Sequence, residues 1–227
     1  MTEGWLFDYG GTLDTGGQHW GKVLWHAYER CQMPVTEQQF REAYVYAERT
    51  LGKTLIIQPA DTFRKTLETK VRLQLEFLGT GYDDCLQFLV DDAYSKAMQQ
   101  TAHSREILFR LKSRCPLVLV SNFYGNLSIV LQEFGLDGIF EAVVESAAVG
   151  VRKPNPRIFL LGAEALGLPP SKVTAVGDSL DKDIIPAKQA GCRTVWLQGE
   201  GWTAYGPSAP EADLVIRSLD ELLENNE

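Results

Sequence analysis

Cysteine and histidine are scarce in this sequence, and long apolar runs are absent. Four cysteines and three histidines occur in 227 residues, and Cys31, Cys85, Cys115 and Cys192 lie far apart. Zinc and redox sites use close cysteine pairs, so we expect small buried side chains in a reducing compartment. No apolar run approaches the roughly 18–20 residues of a membrane span. The first residues also lack a secretion signal, and the sequence therefore predicts a cytoplasmic protein without a membrane partner.

Positive charge is in the minority. The 22 lysines and arginines are outnumbered by 30 aspartates and glutamates, which gives a net charge of −8. Bulk nucleic-acid binding needs a basic face, so we expect no nucleic-acid partner, although a local basic pocket for a phosphate is compatible with this total. The hydrophobic fraction of 44% and charged fraction of 23% are those of a globular protein. The length allows one large domain, or a core domain with an insert.

The opening stretch ends an apolar run at a carboxylate. Leu6 and Phe7 lead into Asp8, and Gly10, Gly11 and Thr12 follow almost at once. This pattern predicts a buried strand that ends at the carboxyl edge of a sheet, where open α/β folds bind ligands. The glycines would let the backbone approach a ligand closely. An Asp-Gly-Gly cluster alone more often marks a turn, so the interpretation depends on the rest of the chain.

Residues 18–98 show helical periodicity and no strand pattern. The apolar spacing predicts four helices, at residues 20–31, after a capping box formed by Thr36 and Gln39, after a cap at Asp61, and at residues 86–98. The aromatic-rich stripes suit the core of a small helical bundle. From Ser104 onward, strands alternate with helices, and the predicted strands are residues 117–120, 142–144, 173–176, 194–197 and 214–216. Such alternation predicts an α/β fold with a parallel sheet, interrupted by the helices.

Polar side chains follow several predicted strands: Asp8 and Thr12, Ser121 and Asn122, Lys153, and Asp178 with Asp183. The carboxyl ends of parallel strands share one edge, so these groups are expected together. Two carboxylates there can hold Mg²⁺, while Thr12, Ser121 and Lys153 can bind the oxygens of a phosphate. Individually, Ser121-Asn122 reads as a turn, Lys153 as a solvated charge and Asp183 as a helix cap. Jointly they predict a phosphate–metal site.

Four motifs occur in a familiar order: Asp8–Thr12, Ser121-Asn122, Arg152–Pro154, and Gly177–Ser179 with Asp183. This order resembles the haloacid dehalogenase (HAD) superfamily, and the helices after the first motif resemble its helical-cap subclass. The resemblance covers essentially the whole chain. It implies a Rossmann-like core of residues 1–15 and 100–227, an all-helical cap domain of residues 16–99, and magnesium-dependent hydrolysis of a small phosphorylated molecule.

The resemblance also implies a role for each motif residue. Asp8 would be the nucleophile that becomes an aspartyl-phosphate. The magnesium ligands would be Asp8, Asp178 and the backbone carbonyl of Gly10. The phosphoryl group would be bound by Ser121 and Lys153, with Thr12 and Asn122 nearby, and Asp183 would support Lys153 and the metal site from behind.

Gly10 departs from the family pattern, in which phosphatases carry a second aspartate at this position. The backbone carbonyl survives the change, but the side chain that protonates the leaving group is lost. General acid–base catalysis contributes about 10²–10⁴ in rate, so a sugar alkoxide would leave slowly, whereas an acyl or aryl phosphate would be affected less. Asp14 and His19 lie close to Gly10 in the sequence and are candidates to replace the missing acid–base side chain. Their alternative roles are a turn or helix cap for Asp14 and a surface position for His19.

Three functions remain open at this stage. The first is a phosphohydrolase that is slow or limited to good leaving groups, and the second is an inactive phosphate-binding or regulatory protein. The third is phosphonate hydrolase-like chemistry, with Lys53 as the candidate lysine for a Schiff base. Four side chains of the helical insert are candidates for the substrate pocket, with burial in the bundle as the alternative: Trp20, Trp25, His26 and Tyr46.

Overall fold

A computed structural model describes residues 2–79, 83–203 and 211–224. Within these ranges, six strands form one parallel sheet in the order β3-β2-β1-β4-β5-β6. The strands are β1 (Gly4–Phe7), β2 (Leu117–Ser121), β3 (Ala142–Glu145), β4 (Val173–Gly177), β5 (Arg193–Leu197) and β6 (Leu214–Ile216). The α/β fold with a parallel sheet is therefore confirmed.

Strand β1 occupies the middle of the sheet, and all of its residues are buried. Leu6 pairs with Val118 of β2 on one side and with Ala175 of β4 on the other. The strand order reverses at β1, since β2 and β3 lie to one side and β4 to β6 to the other. Open parallel sheets bind ligands beside such a switch point. Asp8, the next residue along the chain, therefore emerges at the position that this fold favours for a ligand.

In the described residues between β1 and β2 there are four α-helices, and we call residues 16–79 and 83–112 the helical segment. They are α1 (Trp20–Arg30), α2 (Glu37–Lys53), α3 (Phe63–Leu78) and α4 (Leu86–Lys112). The predicted capping box opens α2, with Thr36 and Gln39 each satisfying a backbone donor of the other. Gly79 ends α3 with a positive φ of 105°, as its place in the sequence predicts.

Two predicted helix boundaries are wrong. Thr62, not Asp61, caps α3, because its Oγ1 accepts from the Lys65 amide at 3.2 Å while the Asp61 carboxylate accepts from the Gln58 amide at 2.8 Å. Helix α4 continues unbroken from Leu86 to Lys112, well beyond the helix that the apolar spacing predicts at residues 86–98. The pattern breaks at buried polar residues, and one of them, Ser104, donates to the Leu13 carbonyl at 2.8 Å. Position 99/100, the boundary expected between core and cap, falls inside this helix.

Shorter helices complete the fold: α5 (Leu127–Glu133), α6 (Ser146–Val149), α7 (Arg157–Leu166), α8 (Ile185–Gln189) and α9 (Glu221–Glu224). The sheet divides two apolar layers, because successive residues of a strand point to opposite faces. Phe7 packs with Leu24 and Leu108 of the helical segment, while Leu6 packs with Ile158 and Phe159 of α7. In the described part of the chain, no helix is both long and apolar enough to cross a membrane.

Candidate active site

The strand order brings three of the predicted site residues to one edge of the sheet. Asp8 follows β1, Ser121 ends β2 and Asp178 follows β4, and these strands are neighbours. The backbone pairing extends one residue beyond β1, since the Asp8 amide donates to the Val176 carbonyl at 3.0 Å. The Asp8 carboxylate is therefore held on a rigid element, 8% exposed, at the floor of a cavity.

Lys153 enters the same point from the loop between α6 and α7. Asn122 holds its backbone at both ends: the Lys153 amide donates to Asn122 Oδ1 at 2.9 Å, and Asn122 Nδ2 donates to the Lys153 carbonyl at 3.1 Å. The side-chain amide of Asn122 is thus used to position Lys153. This arrangement gives Asn122 a role that its place beside Ser121 did not indicate.

The Lys153 ammonium lies between two buried carboxylates. Nζ donates to Asp8 Oδ1 and to Asp183 Oδ1, both at 2.6 Å, and the lysine is 4% exposed. Burial opposes its charge, but Asp183 and Asp8 outweigh this effect and raise the pKa of Lys153 above its ordinary value. Burial raises the pKa of Asp8 to about 6, against the opposite effect of Lys153. The ammonium and the two carboxylates therefore depend on each other for compensation.

Asp178 completes an acidic cluster with Asp8 and Asp183, and one oxygen from each carboxylate lies within 4.8 Å of the others. Thr12 Oγ1 is 3.1 Å from Asp8 Oδ2 and 3.2 Å from Asp178 Oδ1, and it accepts from the Asp178 amide at 3.1 Å. Burial, together with the charges of Asp183 and Asp8, raises the pKa of Asp178 well above its ordinary value. Three carboxylates around one ammonium leave an excess of negative charge, which suits a bound divalent cation.

The glycines of the opening motif differ in what they permit. Gly11 has a φ of +101°, and a Cβ there would lie 2.4 Å from Asp178 Oδ1, so glycine is required. A Cβ on Gly10 would meet only Trp20 Cδ1, at 3.9 Å, and Gly10 is not among the glycines with positive φ. Position 10 therefore has space for a side chain and no backbone strain that would oppose one.

Asp14 and His19 both lie beside the cavity but are occupied by local contacts. Asp14 accepts from the Gly11 amide at 2.7 Å and from Trp20 Nε1 at 2.8 Å, and burial raises its pKa to about 7. His19 caps α1 by accepting from the Gly21 amide at 3.0 Å, and burial lowers its pKa to about 4. The surface position expected for His19 is wrong, whereas Asp14 does serve a turn.

The cavity above Asp8 has a volume of about 600 Å³. Of the four pocket candidates in the helical segment, Trp20 lines it. The other three make different contacts: Trp25 packs on Phe40, His26 pairs with Glu29 and Glu200, and Tyr46 packs on Phe77. Helical periodicity could not show which of the four side chains line the cavity, and Tyr46 is exposed rather than buried in the bundle.

The cavity wall contains an ion pair between a buried lysine and a half-buried glutamate that the sequence did not predict. Lys70 Nζ lies 2.7 Å from Glu48 Oε1, and Tyr124 donates to Glu48 Oε2 at 3.1 Å. Burial opposes the charge of Lys70, but Glu48 raises its pKa well above the ordinary value. The available signal was a lysine on the apolar face of α3, one residue before the buried Val71.

Replacing Lys153 by methionine tests its place between the carboxylates. Breaking a buried ion pair on one side costs about 3–5 kcal/mol of unfolding free energy. Burial already raises the pKa of Asp8 to about 6 against the lowering effect of Lys153; without the ammonium it rises further, so protonation of Asp8 at low pH relieves the repulsion with Asp183. We expect the loss to be larger at pH 8 than at pH 5 in urea denaturation. Lys172→Met removes an exposed pair with Glu3 and should cost under about 1 kcal/mol; equal losses in the two variants would contradict this arrangement.

Comparisons with known proteins agree with this geometry. The curated relatives include a glyceraldehyde 3-phosphate phosphatase of Pyrococcus furiosus, 40% identical over 90 residues that cover 39% of this chain and 38% of the relative. A pyrimidine 5'-nucleotidase of Escherichia coli is 36% identical over 51% of this chain and 52% of its own length. The chain thus spans about a third to a half of the length of the curated relatives it matches.

Solved structures match over nearly the whole chain. A HAD phosphatase from Thermococcus onnurineus has a TM-score of 0.56 at 26% identity and covers 99% of this chain and 97% of its own. An L-2-haloacid dehalogenase from Xanthobacter autotrophicus has a TM-score of 0.62 at 21% identity, with 99% and 98% covered, and it shows the shared fold. The sequence profile of the haloacid dehalogenase-like hydrolases matches residues 3–191. The chain therefore belongs to the haloacid dehalogenase-like hydrolases.

Proposed function

We propose that this chain is a magnesium-dependent phosphohydrolase that acts on a small phosphorylated metabolite through a phosphorylated Asp8. The observation that carries the proposal is the meeting of Asp8, Asp178 and Lys153 at the floor of one cavity. A carboxylate nucleophile, oxygen ligands for a cation and an ammonium for phosphate oxygens are thereby brought within reach of one phosphoryl group. Relatives named as phosphatases of small metabolites support this assignment.

The residues present fit a magnesium ion. Mg²⁺ prefers carboxylate, carbonyl and water oxygens, and the buried cluster carries three carboxylates against one ammonium. Asp8, Asp178 and the backbone carbonyl of Gly10 would hold the ion. When bound, it would neutralise charge on the phosphoryl group and on the carboxylate that approaches it.

Side chains of the protein would supply the nucleophile, the phosphate-binding groups and their positioning. Lys153 and Thr12 orient the Asp8 carboxylate by donating to Oδ1 and Oδ2, and one of these oxygens would form the bond to phosphorus while the bond to the leaving oxygen breaks. Ser121 and Lys153 would bind phosphoryl oxygens, with Thr12 beside them. Asp183 positions Lys153 and is itself held by the Ser179 amide, which donates to Oδ2 at 3.0 Å. Water would then release phosphate from Asp8.

We infer that the helical segment acts as a cap over this floor. It contributes Trp20, Tyr44 and Lys70 to the cavity wall, opposite the strand ends. Helix α4 contacts α1 and α3 of this segment and continues without a break into the core layer. The cap-to-core hinge therefore belongs to the loop before Trp20 and to α4, rather than to a linker near residue 100.

Gly10 limits the leaving groups that such a site can release. Asp14 is close to Gly10 in sequence, but it binds the indole of Trp20 and is only 1% exposed. It is therefore held behind Trp20 rather than against a substrate. We expect acyl and aryl phosphates, which leave without a proton, to be the better substrates.

The second candidate is a binding or regulatory protein that keeps the phosphate site without turnover. Gly10 favours it, because the position has room for the absent acid. The Schiff-base alternative has less support: Lys53 is exposed, and Lys70 is paired with Glu48. An amine must lose its proton to attack a carbonyl, and the pairing opposes that loss.

Asp178→Asn tests the magnesium site. Removing one of the clustered charges should weaken Mg²⁺ binding at least tenfold in calorimetric titration, because a neutral amide loses the attraction that a carboxylate supplies. The matched control is Asp137→Asn, which removes an exposed carboxylate that does not line the cavity. Equal affinities in wild type and Asp178→Asn would remove this cluster as the metal site.

Gly10→Asp separates the enzyme from the binding protein. Restoring an acid should raise turnover of an ester with a poor leaving group by about 10² or more, while turnover of acetyl phosphate changes far less. Gly10→Asn is the control, since its amide has the same shape but cannot donate the proton. Melting temperature and Mg²⁺ affinity are measured first. A folded, metal-binding Gly10→Asp protein that hydrolyses neither substrate favours the binding protein.

A further inference from the structure

Three basic side chains surround the outer part of the cavity, and we call them the cation rim. Lys53 ends α2, Arg152 lies in the loop after α6, and Lys182 lies in the turn after β4. All three are exposed, and within residues 2–79, 83–203 and 211–224 none forms an ion pair with a carboxylate. Lys70, deeper in the same wall, is paired with Glu48 and is therefore already compensated.

The rim residues come from separate elements but gather on one side. A Cβ on Gly52 would lie 3.9 Å from Arg152 Nη1, so the guanidinium reaches the end of α2 next to Lys53. Burial opposes the ionisation of Glu48, but Lys70 and, more weakly, Lys182 lower its pKa. Lys182 therefore acts on the same wall of the cavity. Asp181 also lines the cavity, without an ion pair to the rim among the described residues.

Gathering like charges is unfavourable unless an anion neutralises them. The chain as a whole has a net charge of −8, so a local group of unpaired cations stands out against the overall balance. Cations at the mouth of a low-dielectric cleft focus the field and raise the local concentration of anions. Among the described residues, the carboxylates of the cavity floor form ion pairs with Lys153 and none with the rim.

We propose that the cation rim binds a second anionic group of the substrate. The substrate would be a phosphate compound of small-metabolite size that also carries a carboxylate or a second phosphate. The phosphoryl group would lie at Asp8 and the second anion would lie near Lys53 and Arg152. The assignment of the phosphoryl end rests on the proposed function, and a cavity of about 600 Å³ is in the size range of small-molecule sites.

Calorimetric titration with phosphonates tests this without requiring turnover. In a fixed excess of Mg²⁺, phosphonoacetate and 3-phosphonopropionate are compared with the matching carboxamides, in which a neutral amide replaces the carboxylate and the phosphonate is kept. Ethane-1,2-bisphosphonate represents a substrate with a second phosphate. Methylphosphonate measures the phosphoryl end alone. We expect at least one doubly anionic ligand to bind tenfold or more tightly than the matched amide. The doubly anionic ligand with the largest gain in affinity identifies the second anion as carboxylate or phosphate.

Charge variants assign the gain to the rim. Lys53→Gln with Arg152→Gln should reduce the ratio of acid to amide affinity to within about twofold, whereas the charge-retaining Lys53→Arg should keep it. Lys65→Gln, on the exposed face of α3, is the control that changes net charge away from the cavity. The ratio is read within each variant, so a general loss of stability does not alter it. Added salt should also reduce the ratio, because exposed charges are screened.

Two results overturn the inference and are distinguishable. If acids and amides bind equally while methylphosphonate still binds, the rim recognises no second anion and the proposed phosphohydrolase stands. If no phosphonate binds at all, the phosphoryl site fails and the inference fails with it. A preference for the acids that persists in the Lys53 and Arg152 variants would place the second anion elsewhere.

Discussion

A single ammonium held between two buried carboxylates organises this site. Lys153 cannot remain charged in the protein interior without Asp8 and Asp183, and those carboxylates cannot lie side by side without Lys153. This mutual dependence sets the position of the loop after α6, which Asn122 holds at the end of β2. It also leaves Asp178 without an ammonium partner within the cluster, an imbalance that the proposed magnesium ion would offset.

The parallel sheet brings the residues of this arrangement together. Because β1 lies between β2 and β4, residues far apart in sequence reach one edge without long loops. Two glycines then allow the close approaches that the cluster requires. Gly11 admits the Asp178 carboxylate, and Gly177 admits Asp183, whose Cβ would lie 2.4 Å from a Cβ at position 177. No close contact of this kind requires glycine at position 10. The missing side chain there therefore affects the chemistry of the site and not its packing.

The fold, and the grouping of polar side chains at one edge of the sheet, were predictable from sequence because both depend on local signals. Apolar runs that end in polar residues predict the ends of strands, and parallel pairing brings those ends together. The wall of the cavity was not readable in this way. Glu48 and Lys70 meet across two helices, and Ser104 is satisfied by the distant Leu13 carbonyl. Helical spacing shows that a face is buried, but the partner of a polar residue on that face depends on tertiary packing.

The most direct test of the account is whether Asp8 accepts a phosphoryl group with magnesium present. Beryllofluoride mimics a phosphorylated aspartate, and its effect on the melting temperature is measured with and without Mg²⁺ in wild type and Asp8→Asn. At about 100 times its dissociation constant, a ligand stabilises the native state by about 2.7 kcal/mol, or roughly 5–10 °C for a chain of this size. The account predicts this shift only in wild type with both components. An equal shift in Asp8→Asn, or one without Mg²⁺, would contradict it.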